Sequence, residues 1–185
     1  MRIHGARTLD APREAVFDAI CDPGTLLGVI PGCRAIEQAG DTYRGEIALR
    51  LPGIVGRFRT TVRLVDAERP RSGRLLGEVV GRPGTIRGWA TFRLAETGGR
   101  TTVEYDGQAE LGGPLARLDS RFAEGLASSL IGQGLGNLDA QIRRERAADA
   151  ERPATDAERP AATTDAERPV AATERPVAAT GRAPR

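Results

Sequence analysis

Residues 85–111 read TIRGWATFRLAETGGRTTVEYDGQAEL. Ile86, Gly88, Ala90, Phe92 and Leu94 alternate with Arg87, Trp89, Thr91 and Arg93. Beyond Gly98-Gly99, the residues Thr101, Val103, Tyr105, Gly107, Ala109 and Leu111 alternate with Glu104, Asp106 and Glu110. A period of two is the signature of a strand with one buried face, and a Gly-Gly turn between two such runs predicts antiparallel pairing. The apolar face of this unit needs a partner layer, so the rest of the chain must supply one.

The same pattern recurs upstream. In TYRGEIALRL (42–51), Tyr43, Gly45, Ile47, Leu49 and Leu51 share a face. In RFRTTVRLV (57–65), Phe58, Thr60, Val62 and Leu64 do so, and in RLLGEVVG (74–81) Leu75, Gly77, Val79 and Gly81. Turn signals separate the runs: Ala-Gly-Asp at 39–41, Pro-Gly at 52–53, Arg-Pro-Arg-Ser-Gly at 69–73 and Arg-Pro-Gly at 82–84. These five strands make an antiparallel meander, oily on one side and rich in arginine on the other.

Two helices are predicted. APREAVFDAI (11–20) follows Asp10, a good N-cap, with Pro12 in the first turn. From Pro114 onward Leu115, Leu118, Phe122, Leu126, Leu130, Leu138 and Ile142 recur at three- and four-residue steps, which predicts an amphipathic helix of about 28 residues. Gly132, Gly134 and Gly136 predict a bend or a loosened turn within it. Between the first helix and the meander, LLGVIPGC (26–33) is an oily connector where polar residues are the norm. The fold class is therefore α+β: a helix-grip, with a curved antiparallel sheet of six or seven strands wrapped around a long C-terminal helix. This domain is expected over residues 1–146. Residues 147–185 are almost entirely Ala, Arg, Pro, Thr, Glu and Asp in a repeat of the type TDAERPAAT, and they read as a disordered tail.

Composition excludes several classes. The net charge of +2 is too small to argue for nucleic acid; the tail carries six Arg against seven acids, so the remainder is near +3. No stretch approaches the ~20 apolar residues of a membrane span. The first ten residues hold no apolar run resembling a signal peptide, so a cytoplasmic protein with reduced Cys21 and Cys33 is expected. His4 is the single histidine, and the acids of the meander fall on the outward parity. No catalytic constellation and no metal-ligand spacing is present, so neither a catalytic residue nor a metal site is expected. Tyr105 carries the useful inward hydroxyl of the later strands, to orient a carbonyl or simply to pack.

The inward face is unusually small, with Gly45, Gly77, Gly81, Gly88, Ala90, Gly107 and Ala109 among its residues. Two readings are open. The glycines are bends and close approaches in a coiled sheet, or they leave a cavity beneath the helix. A dry void of ~300 Å³ would cost roughly 7 kcal/mol, comparable to the stability of a whole domain. On the second reading an apolar guest fills it, and the oily connector is its lid. On the outward face, Arg87, Trp89 and Arg93 form either a partner-binding patch or a solvated face with Trp89 under arginine stems.

The stretches GARTLDAPREAVFDAICDP (5–23), VIPGC (29–33), LPGIVGRFRTTVRLVD (51–66), GRPGTIRGWATFRL (81–94), RTTVEYDGQAELGG (100–113) and LARLDSRF (115–122) resemble the CoxG subunit family of carbon monoxide dehydrogenase. That family belongs to the START-like, polyketide-cyclase-type (SRPBCC) superfamily. The motif positions are Ile30, Pro31, Gly32 and Cys33 at the corner, Gly88 and Ala90 on the wall, and Leu115, Leu118 and Phe122 on the helix. The resemblance implies a non-catalytic accessory protein of a molybdenum hydroxylase. It would bind a hydrophobic quinone- or lipid-like ligand in an apolar cavity and recruit the enzyme to the cytoplasmic membrane as a peripheral protein. The tail, with no amphipathic stripe and no basic excess, is a poor anchor for that role. The expected ligand contacts are Leu26, Leu27 and Ile30 of the connector, then Phe58, Val79, Gly88, Ala90, Phe92 and Tyr105 of the sheet. Leu115, Leu118 and Phe122 of the helix complete them. The alternatives are a START-like cyclase or aromatase using Tyr43, Tyr105, Thr60 and Thr101, and a structural adaptor acting through Arg87, Trp89 and Arg93.

Overall fold

In the computed structural model, residues 1–51 and 54–151 are described. Strand β1 (Arg2–Leu9) leads into helices α1 (Arg13–Cys21) and α2 (Pro23–Val29). The meander follows: β2 (Cys33–Ala39), β3 (Thr42–Leu51), β4 (Ile54–Glu68), β5 (Ser72–Gly81), β6 (Gly84–Thr97) and β7 (Arg100–Gly112). A short 3₁₀ turn (Gly113–Arg117) then precedes helix α3 (Ser120–Glu151). The seven strands form one antiparallel sheet in the order β1-β7-β6-β5-β4-β3-β2. From β3 onward each strand pairs with the one before it, β2 is one edge, and β1 forms the other edge against β7. The α+β helix-grip expected from the sequence is the observed architecture.

The core gathers where α1 and the second half of α3 meet β1, β6 and β7. Leu9, Val16, Phe17, Val103, Leu138 and Ile142 are buried there. The rings of Phe17 and Phe92 lie 6.0 Å apart, tilted at 50°, within the range of favourable aromatic pairs. Thr101 is fully buried, and its hydroxyl donates to the Ala11 carbonyl at 2.7 Å. That bond satisfies a polar group that would otherwise be costly to bury.

Four expectations need correction. Asp10 does not cap α1. Pro12 occupies the N-cap with no side-chain bond, and the free Arg13 N–H donates instead to the Glu96 carboxylate at 2.9 Å. The oily connector is largely helical: α2 begins at Pro23 and is capped by Asp22, whose carboxylate accepts the Thr25 N–H at 2.6 Å. Pro is favoured in a first helical turn and Asp at an N-cap, so that signal outweighed Gly24 and Gly28.

The third correction concerns α3. It begins at Ser120, where the Asp119 side chain accepts the Phe122 N–H at 3.0 Å. Leu115 and Leu118 therefore lie in the lead-in, and the helix extends through residues 147–151, beyond the expected domain boundary. Its 32 residues span about 48 Å. Fourth, it runs unbroken through Gly132, Gly134 and Gly136. Only Gly136 sits at a close approach, where a side chain would crowd the Arg7 guanidinium; a Cβ on Gly132 would meet nothing and one on Gly134 only ordinary contact. The expected disorder of the repeat tail concerns residues 152–185, which lie outside the described residues.

Candidate functional site, an apolar cavity under the long helix

Helix α3 packs chiefly on β1, α2 and α1. Its other flank faces the middle of the sheet across a cavity of about 420 Å³. The sheet wall is Ile47, Leu49, Leu75, Ala90, Phe92, Val103 and Tyr105. The roof is Leu130, Ile131, Gly134, Leu135 and Leu138 of α3. Ile20 of α1 closes one side, with Leu26, Val29, Ile30 and Pro31 of the α2 corner beside it. Almost all of the lining is apolar; Thr91 and Tyr105 supply its side-chain hydroxyls. A second compartment of about 150 Å³ continues toward the start of α3. Ile54, Phe58, Val79 and Ile86 line it from the sheet, with Leu115, Leu118 and Leu126 opposite. Ile47, Leu49 and Leu130 border both compartments.

The corner that lids the larger compartment is held from three directions. The Asn137 side chain donates to the Val29 carbonyl at 3.0 Å. Tyr43 is buried, and its hydroxyl donates to the Cys21 carbonyl at 2.8 Å. The Ala48 N–H donates to the Gly32 carbonyl at 2.8 Å. Gly32 has φ of +77°, a backbone state glycine adopts without strain, which explains the Pro-Gly of the corner.

The small inward residues turn out to have several jobs, and making the cavity is a minor one. Three glycines are covered by aromatic rings from a paired strand. A Cβ on Gly73 would lie 2.7 Å from the Phe92 ring, one on Gly81 2.7 Å from Phe58, and one on Gly5 2.7 Å from Tyr105. Gly45, Gly88 and Gly107 instead face the carbonyl oxygens of neighbouring strands, Ala35, Gln108 and Trp89, where the coiled sheet brings backbones together. Of the small positions named from the sequence, Ala90 alone lines the cavity. The room lies where α3, packed chiefly on β1, α2 and α1, leaves the middle strands without close helix contact.

Most of the expected ligand contacts do converge. Leu26, Ile30, Ala90, Phe92 and Tyr105 line the larger compartment. Phe58, Val79, Leu115 and Leu118 line the smaller. Three do not. Leu27 is 44% exposed, because α2 is a helix and positions 26, 29 and 30 share its inner side. Phe122 is 42% exposed, because α3 starts at Ser120 and turns Ala123, Leu126 and Leu130 inward. Gly88 is sealed from the cavity by the Gln108 carbonyl and Ala109. Ile131, Gly134 and Leu135 also line the cavity, although they fall outside the helical stripe read from the sequence.

The outward patch is partly self-satisfied. Arg87 is paired with Glu78 at 2.6 Å. The Arg74 guanidinium lies 5.0 Å from the centre of the Trp89 ring, a cation–π distance. Trp89 sits opposite Leu76, and Arg93 is exposed opposite Ser72 and Glu104.

Reactive chemistry is thin around the cavity. Among the described residues no three His, Cys, Asp or Glu side chains are placed to hold a metal. His4 is exposed on β1, opposite Asp106. Burial pushes the Cys21 thiol above its ordinary pKa, and the Asp18 carboxylate pushes it further, partly offset by Arg69. Burial likewise raises Cys33. Of the hydroxyls considered for an enzyme, Tyr43 and Thr101 are occupied in backbone bonds.

Among solved structures, a conserved protein from Geobacillus kaustophilus is 24% identical with a TM-score of 0.76, covering 78% of this chain and 97% of that one. A START superfamily protein from Mycobacterium smegmatis is 14% identical with a TM-score of 0.59, covering 78% and 98%. A protein from Thermus thermophilus is 19% identical with a TM-score of 0.61, covering 78% and 99%. These likenesses establish the START-like fold. Comparison with curated proteins gives no match. The family model for the CoxG subunit of carbon monoxide dehydrogenase matches residues 5–143, which span β1 to the last core turn of α3 and contain most of the cavity wall. The chain belongs to the CoxG subunit family of carbon monoxide dehydrogenase.

Proposed function

We propose that the protein is a non-catalytic accessory protein of a molybdenum hydroxylase of the carbon monoxide dehydrogenase type. It carries a hydrophobic quinone- or lipid-like molecule in the cavity under α3 and brings its partner enzyme to the membrane. The observation that carries this reading is the lining of the cavity. The pocket is partly open, so without a guest its aliphatic and aromatic walls face water, which is unfavourable in proportion to the apolar area exposed. An apolar guest removes that contact. The volume also falls in the range of small-molecule sites. Family membership supports the choice of partner. No helix among the described residues is long and apolar enough to cross a membrane, so on this reading membrane contact is peripheral.

Native mass spectrometry of the purified protein, followed by organic extraction, tests the reading. A released isoprenoid or acyl lipid is expected, together with uptake of a short-chain quinone by stripped protein. Protein that comes through without lipid, and that takes up neither quinone nor lipid, would remove it. Co-purification with a tagged hydroxylase tests the partner.

A further inference from the structure

The outer face of the sheet, turned away from the cavity, is ordered in stripes. On β4 it carries Arg59 and Arg63. On β5 and β6 it carries Leu76, Val80 and Trp89 beside the Glu78–Arg87 pair. On β7 it carries Glu104, Asp106 and Glu110. Across these neighbouring strands the face runs from basic, through apolar, to acidic. Leu76 and Val80 are exposed. Arg59, Glu104 and Glu110 are exposed as well and form no ion pair among the described residues. Arg63 lies 3.4 Å from Asp41 and is half exposed.

An apolar row bordered by opposite charges fits a surface with the same stripes in reverse order. A uniformly acidic partner would set its charges against Glu104 and Glu110, and a basic one against Arg59 and Arg63. A second copy of this chain, turned half a revolution about an axis along the strands between β5 and β6, presents the reversed order. Its β7 then lies over β4, and its β6 over β5. Thr61, Glu78, Arg87 and Glu110 share one row of the ladder. Arg59 and Arg63 flank that row, so Glu110 of the second copy falls between them. Leu76 meets Trp89 of the second copy, and Glu78 meets its Arg87.

We infer that the chain forms a twofold dimer through the outer face of β4–β7, in which every one of these contacts is made twice. Face-to-face sheets pack with their strands within about 30° of each other. The sheet wraps α3, so this face is convex and its flanking strands stand back; arginine and glutamate are long enough to span the gap. At ~4.8 Å between strands and ~6.8 Å between same-face residues, the stripes cover at most about 500 Å² per copy. The pair therefore buries at most about 1,000 Å², the size of a weak, reversible contact. The dissociation constant is expected on the order of 10–100 µM. The dimer leaves the cavity and its lid free and does not depend on the carrier reading.

The test is sedimentation velocity of the full chain from about 5 to 500 µM, with the emission of Trp89, the chain's single tryptophan, read in parallel. The chain is expected to pass from monomer to dimer over this range while Trp89 emission shifts to shorter wavelength. Association should be several-fold weaker at about 500 mM salt than at about 50 mM. Arg59→Glu/Arg63→Glu and Glu110→Arg should each weaken the dimer by about tenfold or more, because like charges then oppose each other at both ends. Mixed together, the two variants should associate again as a one-to-one heterodimer, since each supplies the charge the other lacks. Circular dichroism checks folding, and should the double variant misfold, Arg59→Glu alone replaces it. A chain that stays monomeric throughout overturns the inference. A dimer indifferent to both reversals places the interface elsewhere and overturns it too. Reversed variants that remain monomeric when mixed rule out the pairing of β4 with β7.

Discussion

The Asn137 side-chain amide donates to the Val29 carbonyl at 3.0 Å, joining the middle of α3 to the last residue of α2. Carbonyls at a helix end have no partner within the helix, so this bond both satisfies one and fastens the lid. Asn137→Ala should cost about 0.5–1.5 kcal/mol in chemical denaturation. Amide hydrogen exchange across residues 26–30 should quicken by more than it does in β6 and β7. Equal protection of α2 in the variant would mean that the lid is held by its apolar contacts alone.

The same lid carries a pH signature. The Thr25 backbone N–H and then its side chain hold the Asp22 carboxyl below its ordinary pKa of 3.8. A depressed folded pKa means the ionised form is favoured by folding, so the contribution is full above pH 3.8 and fades as pH falls through the lowered folded value. Asp22→Ala should cost about 0.5–2 kcal/mol at neutral pH. Asp22→Asn should retain most of the cap and remove this group's acid dependence. Urea midpoints measured at pH 7 and pH 3 for the three proteins check the sign.

Two glycines on β5 should respond oppositely to the same change. A Cβ on Gly81 would meet the Arg57 carbonyl at 2.6 Å and the Phe58 ring at 2.7 Å, and Phe58 is almost fully buried. Gly81→Ala should destabilise by about 1–3 kcal/mol through overpacking. At Gly77 the nearest atom is a Val62 methyl carbon at 3.6 Å, ordinary contact. Gly77→Ala should stabilise by up to about 1 kcal/mol, the usual gain over glycine in a strand. Thermal melts of both variants decide it. Destabilisation by Gly77→Ala would show that the inner surface near Val62 tolerates no added methyl.

The two thiols should be sluggish. Burial raises both, and the Asp18 carboxylate adds to it at Cys21. Because thiolate is the nucleophile, iodoacetamide at pH 7.5 should label the folded protein several-fold more slowly than the urea-unfolded chain. Labelling at the unfolded rate would point to opening of the α1–α2 corner.

The sheet was legible because its alternation is nearly uninterrupted from Tyr43 to Leu111, and one slip in register would have put arginines inside. The rest was obscured where two periodicities compete over few residues. Seven residues from Pro23 to Val29 carry two glycines and too few turns for a helical stripe to show. The cavity was one of two open readings, and the small residues that suggested it are mostly not its walls. Sequence shows that Gly73, Gly81 and Gly5 lack side chains; it does not show that Phe92, Phe58 and Tyr105 lean across from paired strands to occupy the space. Leu27 is turned outward because the connector is a helix, and Phe122 because α3 starts at Ser120 and not near Pro114.

Because α3 rests on β1 and the α1–α2 corner while its opposite flank spans the cavity, the helix is propped along one side only. On the carrier reading, a thicker guest would be met by tilting that helix, with the ladder bonds of the sheet left intact.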